Sequence, residues 1–465
     1  MPTPAHGSLT TGNPIRPLLR LAAPFLAGNL LNLVVLLVDR LWVGEVGTTA
    51  LAALGVAHVA LMVMGTATMG MGIGTLAGVA RHVGRGDGAL AGRYYGRGML
   101  LAVGFGLAFA ALAFVLPAAL MRFMGADAAL AAPAADYLRV SMWGLLFQAP
   151  MFVQNFALQG AGEGRAALLV STVAPVVNAV LDPLFIFGLG LGVEGAAWAS
   201  NVAYAMGLAT GAWLIARAGL RLTVTRASFT RGAGSTRAIL RVGLPGTLEQ
   251  LVRTLAAFSL VKVLTPFGET VLSAYTAAMV LAMALVFPGL AIGQAAASLM
   301  GQNLGVGEPR RAWHTAWLAV LLYGVMISAA GVLIYVFAAP LIAAFDDNPI
   351  VVAEGATLLR VQVFCYPALA VALVLSKAFG GAGNTRPAMV SAIIGHLVWQ
   401  IPAAWYFGQR YGPIGAYWAM ASAYVVHGAL QAVLFVTRFR PGGRLAQATV
   451  ANHAAEVATP LDLQG

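Results

Sequence analysis

The sequence predicts an all-α integral membrane protein, and three observations predict it. Only 9% of the 465 residues are charged and 60% are hydrophobic, whereas soluble domains carry about 25% charged residues. Charge-free apolar windows long enough to cross a bilayer recur from one end of the chain to the other, and spanning takes ~20 residues. Basic residues gather in alternate connections between those windows.

Met1–Arg16 contains Pro, Gly and Thr and no apolar core, so no cleaved signal peptide is expected. Leu21–Val38 is nearly spanning length. Thr49–Ala80, Gly98–Met121 and Val140–Ala161 are charge-free. Ala166–Val193 is broken only by Asp182, and Gly195–Ala216 completes a first set of six. Residues 217–236 are polar and basic, with Gly232 and Gly234, and read as a linker. Val242–Leu260 is interrupted by Glu249 and Arg253. Thr270–Asn303 and Ala312–Phe345 are charge-free, and Ile350–Ser376 is apolar beyond Arg360. Pro387–Gln409 and Tyr411–Thr437 complete a second six. The expected organisation is a cytoplasmic segment 1–16, an N-lobe 17–216, the linker 217–236, a C-lobe 237–438 and a disordered tail 439–465.

The formal charge of +11 concerns topology rather than nucleic acid. Twenty of the 27 basic residues fall in one set of connections, from Arg16 and Arg20 through the linker to Arg444. The positive-inside rule puts that set and both termini in the cytoplasm, in contact with an anionic leaflet. No aromatic residues stack among these arginines, which disfavours RNA. Cys365 stands alone, which excludes an internal disulfide or a multi-cysteine metal site.

The chain also matches itself. A shift of about 221 residues brings Arg20 onto Arg241, Pro24 onto Pro245 and Gly84-x-Gly86-Asp87 onto Gly305-x-Gly307-Glu308. It also brings Gly160-Ala161-Gly162-x-x-Arg165 onto Gly381-Ala382-Gly383-x-x-Arg386. Six spans per copy is an even number, so the copies run the same way through the membrane. Such parallel repeats commonly enclose a central transport site. Symmetry fails at the polar positions. Asp39 matches Leu260, Asn155 matches Ser376, Asn178 matches Trp399, Asp182 matches Ala403, and Glu249 matches Gly28.

Asp39, Asp182 and Glu249 are the three acids inside spans. Each costs roughly 2.5–3.5 kcal/mol at a bilayer centre on insertion scales. Asn178 and Asp182, at i and i+4, share a helix face. Pro175 and Pro183 flank them and free backbone carbonyls. Asn29, Asn32 and Asp39 form a stripe on the first span, and Gln148, Asn155 and Gln159 another on the fourth. Ligands made only of oxygen suit Na⁺, or a proton shared between carboxylates, rather than zinc or copper. Met279, Met283 and Trp399 are adaptable apolar candidates for a substrate cavity. His58, His396 and His427 are isolated in their spans and read as structural.

These residues resemble the MATE multidrug and toxin extrusion transporters. The resemblance rests on Pro24…Asp39-x-x-x-x-Gly44-x-x-Gly47 and on the Gly84-x-Gly86-Asp87 loop. Its most specific part is Asn178-x-x-x-Asp182-Pro183-Leu184-Phe185-Ile186-Phe187-Gly188, followed by Leu191-Gly192-Val193-x-Gly195-Ala196-Ala197. It implies twelve helices in two six-helix lobes. It also implies export of cationic amphipathic compounds in exchange for H⁺ or Na⁺. The family's N-lobe cation site falls on Asp39, Asn155, Asn178, Asp182 and Ser200, where Ser200 replaces a threonine. A first-helix proline whose bend tracks protonation falls on Pro24. Glu249 matches the seventh-helix acid of the NorM-type branch, but that branch's tenth-helix Asp falls near Leu369 and is absent. The N-lobe set is closer to the DinF-like branch, so the sequence mixes both signatures.

The reading is therefore an inner-membrane antiporter and not an enzyme, without cofactor and with H⁺ or Na⁺ as coupling ion. Glu249, Arg253, Met279, Met283 and Trp399 are its C-lobe cavity candidates. It is expected to act as a monomer on cationic amphiphiles within the lipid bilayer and to bind no nucleic acid. The alternative within the superfamily is a flippase for a lipid-linked or polysaccharide substrate. A membrane prenyltransferase would need clustered acids for Mg²⁺, and the only adjacent pair, Asp346-Asp347, lies in an outside loop.

Overall fold

The computed structural model describes residues 9–46, 48–123, 128–217, 219–230 and 233–439. The side chains of 128–130 and of several residues between 36 and 56, Asp39 included, lie outside that description. So do Gly47, Arg231, Gly232 and the tail from residue 440. The described chain is helical and contains no strand.

The first helices are α1 (Ile15–Val46), α2 (Thr48–Gly84), α3 (Gly88–Leu112), α4 (Leu116–Phe123), α5 (Ala128–Ala161) and α6 (Gly164–Pro183). A π-helical turn, Leu184–Gly188, leads to α7 (Gly192–Arg217), α8 (Arg226–Thr230) and α9 (Ala233–Leu264). Then come α10 (Glu269–Gly305), α11 (Pro309–Ala343), α12 (Pro349–Val363), α13 (Tyr366–Gly381) and α14 (Arg386–Ala392). A second π-helical stretch, Ile393–Gln400, joins α14 to α15 (Ile401–Tyr411), and α16 (Pro413–Phe439) closes the described chain.

Eight of these helical segments are long and apolar enough to cross a membrane. A ninth is added if α12 and α13, bent by 62° at their junction, form one span. The long helices α5, α7 and α9 do not pass that test. They carry the polar residues that matter below, among them Asn155, Ser200 and Glu249.

Helix starts follow local chemistry. Asp87 Oδ1 accepts from the Leu90 amide at 2.8 Å and caps α3. Gly86, at φ +77°, makes the preceding turn in the left-handed region that glycine enters freely. Gly307 has the same φ, +77°, before α11.

The chain forms two compact units. One is Ala23–Leu244; the other is Met1–Ala22 with Pro245–Gly465. The divisions fall inside α1 and α9, next to Pro24 and Pro245, and not at the ends of the expected lobes 17–216 and 237–438. The packing gives the reason. The segment before α1 is held by Arg311, which donates to the Gly12 carbonyl and to that of Thr11 at 3.0 Å. The start of α9 lies on α2, where a Cβ on Gly74 would stand 2.3 Å from the Ile239 oxygen.

The expected linker is also docked. The Thr223 amide donates to the Gly88 carbonyl at 3.1 Å, and Arg97 Nη2 donates to that of Thr230 at 2.9 Å. Residues 219–230 therefore lie along α3 rather than hanging free.

Candidate functional site

Inside the Ala23–Leu244 unit, α6 presents Asn178 and Asp182 one turn apart, and both are buried. Asn178 Nδ2 donates to Asp182 Oδ1 at 3.0 Å and to Ser200 Oγ of α7 at 3.2 Å. A single amide thus ties a carboxylate to a hydroxyl on the neighbouring helix. Asp182 is 1% exposed, so its charge depends on what the protein offers it. Next to it α6 ends at Pro183 and passes into the π-helical turn, where the Leu189 amide donates to the Leu184 carbonyl. Such turns loosen the backbone ladder and recur at functional sites. A carboxylate and a hydroxyl oxygen converge on this one amide nitrogen, and such hard oxygen ligands suit a hard cation or a proton on Asp182.

Asn155 belongs to a different cluster of the same unit. Its Nδ2 donates to the Ala167 carbonyl at 3.1 Å, and its Oδ1 accepts from Gln159 Nε2 at 2.7 Å. Ala167 precedes Asn178 by eleven residues, about 16 Å along α6. The hydrogen bonds therefore join Asn178, Asp182 and Ser200 directly and hold Asn155 three turns away. Asn32 anchors α1 to α6, donating to the Ser171 carbonyl at 3.5 Å. Asp39 lies on α1, and its side chain is outside the described residues. Pro24 sits within α1, one residue past the division between the units.

In the other unit, Glu249 is 4% exposed. Ser376 Oγ donates to its Oε1 at 2.5 Å, and Arg253 Nη1 lies 3.5 Å from the same oxygen. Arg253 also donates to Gln250 Oε1. Lys377, next to Ser376 on α13, lies within electrostatic range of Glu249 and Arg253. One acid thus faces two cations. Lys377 is not among the cavity candidates that the sequence offers, since it stands just past the end of the Ile350–Ser376 window. Of the other cavity candidates, Met283 is 59% and Trp399 42% exposed, Met279 is half-buried, and Trp399 Nε1 donates to Ser422 Oγ at 2.9 Å.

Repeated apolar helices with buried polar clusters define a multi-pass membrane carrier. The MatE family model matches residues 24–184 and 245–406, more than half of the chain. The protein belongs to the MATE family of membrane transporters. It is 28% identical over 411 residues to the probable multidrug resistance protein YpnP of Bacillus subtilis, covering 86% of this chain and 91% of that one. It is 24% identical to a FAD transporter of Shewanella oneidensis, covering 86% and 89%. A crystal structure of MATE in the straight conformation superposes with a TM-score of 0.86 at 24% identity, over 96% of this chain and 98% of that one, and shares its fold.

Proposed function

We propose that the protein is a multidrug efflux antiporter of the cytoplasmic membrane, exporting cationic amphipathic compounds in exchange for H⁺ or Na⁺. Its twelve spans would be α1, α2, α3, α5, α6, α7, α9, α10, α11, α12–α13, α14–α15 and α16, with both termini cytoplasmic. An internal repeat offset by about 221 residues is supported by the two family-model matches, which begin at 24 and 245. Shared turns support it as well: Gly86 and Gly307 take the same φ, and Gly162 and Gly383 take +79° and +76°.

The observation that carries the proposal is the buried Asn178–Asp182–Ser200 cluster. A carboxylate buried within a membrane span is costly to keep charged, and binding an ion or a proton relieves that cost. Asp182 binds the coupling ion in this reading, with Asp39 supplied from α1, and Asn155 and Pro24 act in the linked movement. The test is dye efflux from vesicles under separately imposed pH and Na⁺ gradients. One gradient should drive efflux, and Asp182→Asn and Asp39→Asn should each abolish it at unchanged expression and insertion. Wild-type efflux in both variants sinks the assignment.

A second reading is export of an anion, favoured by Arg253 and Lys377 outnumbering Glu249 in their cluster and by the FAD transporter among the relatives. Anion efflux with no transport of cationic dyes would select it.

A further inference from the structure

His396 and His427 stand 31 residues apart in the chain, yet their rings meet. His396 lies on the π-helical stretch Ile393–Gln400 and His427 on α16. Gly395 makes the meeting possible, because a Cβ there would stand 2.9 Å from the His427 Cβ. His396 Nε2 is 3.1 Å from His427 Nδ1. His396 Nδ1 is 2.8 Å from Gln400 Oε1, and His427 Nε2 is 2.9 Å from Gln431 Nε2. All four residues are buried.

The donors and acceptors fix one arrangement for two neutral rings. Gln431 Nε2 donates to His427 Nε2, His427 Nδ1 donates to His396 Nε2, and His396 Nδ1 donates to the Gln400 carbonyl. All four ring nitrogens are satisfied with two ring protons. The remaining atom is Gln431 Oε1, which is buried and has no hydrogen-bond partner among the described residues. A half-turn of that amide brings the oxygen onto His427 Nε2. The row then accepts a third ring proton, with one N–H on each outer nitrogen and one shared between the rings. The orphaned oxygen is the acceptor that the protonated state requires.

We propose that His396 and His427 form a binding site for one shared proton, gated by the Gln431 amide, in the unit that does not hold Asp182. The site goes beyond the antiport reading and does not depend on it. Tyr424 of α16 and Arg253 of α9 face the pair. The Tyr424 ring stands edge-on to His396 at 5.1 Å between centroids. The Arg253 charge acts on both rings. Tyr275 of α10 and Cys365, just before α13, act on Tyr424. Arg253 is in turn paired with Glu249. The proton is therefore linked to the Glu249–Arg253 pair.

The experiment is a titration of the imidazole nitrogens, isotope-labelled, in full-length protein in lipid nanodiscs without substrate or ion gradient. The signals of His396 and His427 are assigned by their loss in His396→Gln and His427→Gln. The expected result is a joint titration, both rings moving over one pH interval as a single proton enters. Gln431→Leu, close in size, should cut proton occupancy about tenfold at a given pH, the loss of one charge-assisted hydrogen bond. Rings that stay neutral wherever the protein is folded, or that titrate independently, overturn the proposal. So does an unchanged titration in Gln431→Leu, which carries the test if the histidine variants fail to insert. Failure of dye efflux would strike the antiporter reading and leave this result standing.

Discussion

Glu249 accepts from Ser376 and pairs with Arg253, with Lys377 in electrostatic range, so neutralising it unbalances the cluster. Removing one partner of a buried ion pair typically costs ~3–5 kcal/mol. Arg253 is 21% exposed, so the loss for Glu249→Gln should be smaller, about 1–3 kcal/mol. Thermal unfolding of the purified protein measures it. In vesicles the variant should change substrate range or rate more than ion coupling. If it alone removed coupling while Asp182→Asn did not, the coupling site would lie in the second unit. The i,i+4 spacing of Asn178 and Asp182 could be read from the chain, because helical geometry makes such residues neighbours. Ser200 was reachable only through the family resemblance, since its partner lies 22 residues away on another helix. The His396–His427 contact was not legible. Each histidine is isolated in its own span, and nothing in a single sequence shows that two spans cross at Gly395.

Helix packing has its own sensitivities. A Cβ on Gly381 would stand 2.0 Å from the Ala297 carbonyl oxygen, and one on Gly160 would stand 2.7 Å from that of Leu76. Gly381→Ala must push α13 off α10, and overpacking of this kind costs ~1–3 kcal/mol. Gly104, inside α3, has nothing within 4 Å of an added Cβ. Gly104→Ala should be neutral or stabilise by ~0.5–1 kcal/mol through backbone entropy. The midpoint of Gly381→Ala should therefore fall while that of Gly104→Ala holds or rises, and a fall in both would reject the packing argument. Apolar windows located these helices well because insertion in lipid demands long uninterrupted runs. They missed the breaks. Ile350–Ser376 reads as one span but bends by 62° between α12 and α13, where Pro367 lacks an amide hydrogen. The two π-helical stretches leave no hydropathy signal either, since widening a turn changes the hydrogen-bond register and not the composition.

For the whole molecule, the divisions between the units fall next to Pro24 in α1 and Pro245 in α9. Proline removes a backbone hydrogen bond and lets a helix bend at low cost. Asp39 lies fifteen residues beyond Pro24, about 22 Å along the axis, so a small bend displaces the backbone there by several ångströms. Pro24→Ala should slow or block export while ion binding persists. Unchanged efflux rejects the hinge, and loss of both efflux and ion binding points to misfolding. An imposed membrane potential should favour inward ion movement by ~2.3 kcal/mol per charge per 100 mV.

The division inside α1 also bears on the order of synthesis. Residues 9–22 are made before the Ala23–Leu244 unit, yet they belong to a unit whose remainder begins only at Pro245. Chains grow at ~5–20 residues per second, so the two parts of that unit are made on the order of 10–45 s apart. Leu18 and Leu21 of that segment end 0% and 2% exposed. The Ala23–Leu244 unit is meanwhile continuous in sequence and can close first. The segment made just before the Ala23–Leu244 unit is therefore completed after it.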